Sequence, residues 1–193
     1  MFTCPPCASK SLPGEFRHIA EELFPPGDAD GGKGPSAKVI ASFAGMLGIG
    51  EDFARFTEAH EPSAAMEEIL DHFQNNLDLL IQKTWVEKAD EERKEKLLDE
   101  VPVLIGLIEK GDCPGALEEF GAILEELAYL FFGEESQKDD FAEYALRIDT
   151  QMGLFWWYGG QLGYARDSSW VKKADRRILE SLLLLGICYL TNF

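Results

Sequence analysis

Three observations predict an all-α fold, an irregular single-domain bundle of six to eight helices with a loop-rich N-terminal segment. Apolar residues recur every three to four positions from Ser63 onward, the period of a helix with one buried face. No stretch alternates apolar and polar residues for long, and no Asn-Gly or Asp-Gly turn lies between β-branched runs. With 193 residues, 46% hydrophobic and 11% aromatic, the chain can bury a core despite a net charge of -17. The expected division is a loop-rich extension with one short helix over residues 1–35 and a helical bundle domain over residues 36–193.

The elements follow in order. Pro25-Pro26-Gly27 and Gly31-Gly32-Lys33-Gly34-Pro35 form turns and loops. Between them and the proline-rich start, Glu15 to Phe24 places Phe16, Ile19, Ala20 and Leu23 on one stripe, a helix that must lean on the main body. Ser36 to Leu47 repeats the pattern with Val39, Ile40, Phe43 and Leu47, and Gly48-Ile49-Gly50 ends it. From Ser63, a good cap, Met66, Ile69, Leu70, Phe73, Leu77, Leu80 and Ile81 define a long helix. The charged run from Glu91 to Lys96 is a solvated face, and Leu97, Leu98, Val101, Leu104 and Ile105 supply the buried one. Because proline lacks the backbone donor and crowds the preceding turn, Pro102 predicts a kink or break near Glu100 and a restart running to Lys110.

Gly111-Asp112-Cys113-Pro114 is a compact stop and restart: glycine closes one helix, Asp112 caps the next, and Pro114 fits its first turn. The two helices so joined are antiparallel. The second runs to Phe132, with Leu117, Phe120, Ile123, Leu124, Leu127 and Phe131 in phase. A further helix begins at Asp139 or Asp140 and carries Phe141, Tyr144, Ala145, Ile148, Met152 and Phe155, with Gly159-Gly160 and Gly163 interrupting it. Ser168 or Ser169 caps a last, buried helix through Leu190.

Composition excludes some classes of function. A balance of 18 Lys+Arg against 35 Asp+Glu is repelled by phosphate backbones and anionic lipid, so neither nucleic acid nor a membrane surface is an expected partner. The apolar run Ile178 to Phe193 is shorter than the roughly 20 residues a bilayer needs. The start of the chain lacks the basic-then-apolar pattern of a secretory signal, and four cysteines at 4, 7, 113 and 188 do not make a disulfide framework. A cytoplasmic protein with reduced thiols is expected.

Four features invite chemistry. Cys4-Pro5-Pro6-Cys7 has the spacing with which two thiolates grip zinc or exchange a disulfide, but a structural zinc site wants four ligands and no second pair exists. Around the first long helix, Glu58, His60, Glu61, Glu68, Asp71 and His72 include a Glu-to-His pair four residues apart, whose ordinary explanation is a solvated face. Glu118, Glu119, Glu125 and Glu126 do not complete the paired magnesium-binding elements of all-helical nucleotide pyrophosphohydrolases, since Glu119 leads to Ala122 and Glu126 to Tyr129. They are read as acidic surface.

The fourth feature is the segment from Met152 to Trp170, which holds three of the four tryptophans. Consecutive helical residues point about 100° apart, so Phe155, Trp156, Trp157 and Tyr158 are not expected to share one core face. One or more should meet a second surface, a pocket or a partner. Gly159 and Gly163 allow another backbone to approach, and Arg166 can stack on a ring or hold an anion. Phe155, Trp156, Trp157, Tyr158, Tyr164, Arg166 and Trp170 are therefore the candidate binding residues, weighed against a wide aromatic core.

The functional expectation is a non-enzymatic binding module that contacts a protein partner, or a second copy of itself, through this aromatic and glycine-rich surface without a cofactor. One alternative is a zinc or redox protein built on Cys4 and Cys7. Another is a small-molecule or enzyme pocket lined by Trp156, Trp157, Tyr158 and Arg166.

Overall fold

The structure, a computed structural model, describes residues 12–25, 34–59, 71, 91–132, 141–165 and 168–191. These residues form eight helices and no strand, an all-α bundle. They are α1 (Gly14–Leu23), α2 (Ala37–Met46), α3 (Gly50–Ala59), α4 (Glu91–Lys110), α5 (Cys113–Phe132), α6 (Phe141–Leu146), α7 (Thr150–Ala165) and α8 (Arg176–Thr191). No helix among the described residues is long and apolar enough to cross a membrane. The long helix expected from Ser63 lies outside the described residues, apart from the helical, exposed Asp71.

Local chemistry sets several boundaries where the sequence puts them. Ser36 caps α2, its hydroxyl accepting from the Val39 amide at 3.3 Å. Gly48 follows with φ of +77°, a left-handed turn natural to glycine. Gly111 does the same after α4 with φ of +75°, and Asp112 accepts from the Gly115 amide at 3.1 Å to start α5. The short link makes α4 and α5 an antiparallel pair. Arg93 lies over the Tyr129 ring, while Lys96 reaches Glu126 one turn further on α4 and one turn back on α5.

Three boundaries differ from expectation. First, α4 runs unbroken through Pro102. Pro102, Leu98 and Val103 are all exposed, so the lost Pro102-to-Leu98 hydrogen bond faces water, while Leu97, Val101 and Leu104 hold the helix against its neighbours.

Second, the helix expected from Asp139 through Tyr158 is two helices, α6 and α7, separated at Arg147–Asp149. Asp149 accepts from the Met152 amide at 2.9 Å and so caps α7. Gly153 lets α6 fold back closely, since a Cβ there would lie 2.3 Å from Leu146 Cγ. Nor do Gly159, Gly160 and Gly163 end α7, which runs on to Ala165; the missing side chain of Gly159 makes room for Leu124.

Third, Asp175 rather than Ser168 or Ser169 caps α8, accepting from the Arg177 amide at 2.9 Å. The intervening turn folds Trp170 and Val171 into the core.

In space α5 is flanked by α4 and α7, with α6 on α7; α1, α2 and α3 form a second group, and α8 bridges the two by packing on α2, α3 and α5. From Leu179 to Leu190 every residue of α8 is buried, as expected of its apolar run. Leu12, Ala20 and Leu23 belong to the same core as α5, α7 and α8, so α1 leans on the main body.

Candidate functional site

The aromatic segment is interior. Phe155, Trp156, Trp157, Tyr158 and Trp170 are all at most 3% exposed. Four consecutive rings need more than one set of surroundings, and they have it inside one core because α7 is enclosed on several sides at once. Phe155 stacks on Tyr189 of α8 at 4.1 Å between centroids. Trp157 meets Phe24, just after α1, edge-on at 5.7 Å and Phe43 of α2 at 6.0 Å. Phe24 also touches Trp170. With roughly 150 Å² buried per ring at ~25 cal/mol/Å², each contributes on the order of 4 kcal/mol of transfer free energy.

Polar atoms in this core are few. The Tyr158 hydroxyl donates to the Leu182 carbonyl, and burial raises the phenol well above its ordinary range. Trp157 Nε1 and Gln161 Nε2, one turn apart on α7, are buried with no acceptor among the described residues.

Of the predicted site residues, Tyr164 alone is both described and exposed, at 40%; Arg166 lies outside the described residues. Tyr164 borders a groove of about 290 Å³ between α5 and α7, lined by Glu118, Gly121, Ala122, Glu125, Gly160, Gly163 and Tyr164. Its geometry follows from a close antiparallel crossing. A Cβ on Gly121 would lie 2.6 Å from the Gly163 amide nitrogen, and one on Gly159 would lie 3.0 Å from Leu124 Cδ1. The glycines thus let the two backbones touch, and the groove opens beside the contact. On its outer side a Cβ at Gly163 would meet nothing within 4 Å. The lining carries two carboxylates, one phenol and no cationic side chain.

The face of α5 turned toward α4 carries a charge network. Glu126, expected at the surface, is buried, accepting from Arg93 Nη1 at 2.7 Å and from Lys96 Nζ. Two cations from α4 make that burial tolerable.

Among the described residues no group of three or more His, Cys, Asp or Glu is placed to hold a metal ion. Cys4, Cys7, His60, Glu61, Glu68 and His72 lie outside the described residues, and Glu58 and Asp71 are exposed. Cys113 and Cys188 are both buried. Burial first, then the neighbouring Glu180, pushes the Cys113 thiol up, which disfavours the reactive thiolate.

Comparison with protein-family models, with characterised proteins and with solved structures finds no match to this chain. The groove is hidden from sequence reading because its floor is glycine from two helices 42 positions apart in the Gly121–Gly163 contact. Gly163 and Tyr164 are visible as unusual residues, but nothing in the order of residues says that they face Glu118 and Glu125.

Proposed function

We propose that the protein is an interaction module that holds a basic segment of a partner protein in the α5–α7 groove. The observation that carries this reading is the lining itself: two carboxylates, Glu118 and Glu125, and the exposed Tyr164 ring around a glycine floor. Such a surface suits a lysine or arginine side chain. Its aliphatic stem lies along Gly160 and Gly163, and its charged end meets a carboxylate or the face of the phenol. The net charge of -17 adds long-range attraction for a basic partner and accelerates encounter at low salt. The buried rings of α7 act in this reading as the support that fixes the groove's backbone, while Tyr164 supplies the aromatic contact.

The test is titration of the full chain with a lysine- and arginine-bearing amphipathic peptide, followed by amide chemical shifts and by fluorescence anisotropy of the labelled peptide. Chemical-shift changes are expected at Glu118–Glu125 and Gly160–Tyr164. The double variant Glu118→Lys, Glu125→Lys should weaken binding at least about tenfold, equivalent to ~1.4 kcal/mol. Gly163→Trp, which fills open space, should block the groove while leaving thermal stability near wild type. No binding of basic peptides, or chemical-shift changes confined to another face, would overturn the proposal.

A further inference from the structure

The seam between α4 and α5 holds more carboxylates than cations to balance them. Arg93 faces Tyr129 and Lys96 faces Glu126, so continuing that antiparallel register by one turn places Glu100 opposite Ala122, between Glu119 and Glu126 of α5. Glu126 takes both cations. Glu100 has only a share of Lys96, whose Nζ lies 3.5 Å from Oε1. Its other oxygen, Oε2, is buried with no donor among the described residues. An ionised carboxylate is costly in that position, and a protonated one turns the orphaned oxygen into a donor that a neighbouring carboxylate can accept.

We infer that Glu100 and Glu119 share one proton across the seam, forming a latch that loosens α4 from α5 when the proton is released to water. The surrounding charges are consistent with this. Burial, then the charge of Glu126, raises Glu100 while Lys96 opposes; burial, then Glu100 and Glu118, raises Glu119 while Lys96 opposes. The described charged groups acting on the pair are Lys96 on α4, and Glu118 and Glu126 on α5. Since both folded-state carboxyls are raised, the stabilisation is complete at acid pH, below their unfolded values, and is lost as pH rises through the folded ones. The two titrate as a coupled pair.

The test combines a carbon-detected NMR titration of glutamate carboxyls in the full chain with amide exchange along α4. Glu100 and Glu119 should titrate in linked steps, the upper one above the ordinary range of a glutamate. Glu119→Gln should move the Glu100 midpoint downward. Protection factors in α4 should fall several-fold as pH rises through the upper step in wild type and change less than about twofold in Glu100→Gln, because a carboxyl raised by folding weakens the closed seam when its proton leaves. Ordinary, independent titrations would sink the latch. So would an equal fall in α4 protection in wild type and Glu100→Gln, which is the behaviour of a merely structural side chain. If Glu100→Gln does not fold, the same comparison is made with Glu119→Gln.

Discussion

Replacing Gly186 with alanine sets two effects of opposite sign against each other inside α8. Alanine is the better helix former by about 1 kcal/mol, so propensity alone predicts a more stable protein. Packing predicts the reverse. A Cβ at 186 would lie 2.3 Å from Phe120 Cε1 and 2.8 Å from the Tyr158 hydroxyl oxygen, and both rings are fully buried. Neither is the free end of a flexible chain. Forcing them apart costs about 1–3 kcal/mol as overpacking, and displacing the Tyr158 hydroxyl from the Leu182 carbonyl leaves a buried polar group costing about 1–3 kcal/mol more.

The net expectation is a loss of about 3 kcal/mol. In urea that lowers the midpoint by roughly 1 M or more at a slope of ~2–3 kcal/mol/M, and in a thermal scan it lowers Tm by about 6–12 °C. The control is Gly106→Ala on α4, where a Cβ meets nothing within 4 Å and propensity should win. If Gly186→Ala were as stable as wild type while Gly106→Ala gained stability, the packing of α8 on Phe120 and Tyr158 would be refuted.

Two further predictions concern the same core. Burial raises both Tyr158 and Tyr189, the latter pushed up to about 12 with Asp149 adding to burial, so their contribution is full below the ordinary phenol value of ~10 and falls as pH rises above it. Tyrosinate absorbance followed beside circular dichroism should show Tyr158 ionising only as the protein unfolds, and ionisation at an ordinary midpoint in folded protein would contradict its burial. In a Trp85→Phe background the emission of Trp156, Trp157 and Trp170 should resist acrylamide until denaturant is added; equal quenching before and after unfolding would remove these rings from the interior.

Much of the fold is legible in the sequence because helix periodicity and end chemistry are local. Ser36, Gly111 and Asp112 act on amides within a few residues of themselves, so their roles can be read in order along the chain. What is not legible depends on which element lies opposite. Gly159 looks like a helix stop until Leu124 is brought against it, and the backbone at Gly163 is met by Gly121, whose own missing side chain lets the two helices touch. Pro102 looks like a break until its turn is seen to face water. Glu126 looks like surface until Arg93 and Lys96 arrive from the preceding helix. The candidate site divides the same way: its unusual residues are evident, yet which rings turn inward is decided by Phe24, Phe43 and Tyr189, elements distant along the chain.

The rings of α7 touch Phe24 and Phe43 near the beginning of the described chain and Tyr189 near its end. A nascent polypeptide emerging from the ribosome therefore exposes Phe155 through Tyr158 without their closing partner until translation has passed α8. During that interval the earlier helices have no completed nucleus to join, and the growing chain carries sticky aromatic surface into a crowded milieu. Burial of these rings thus waits until α8 has been made and packs against α2, α3 and α5.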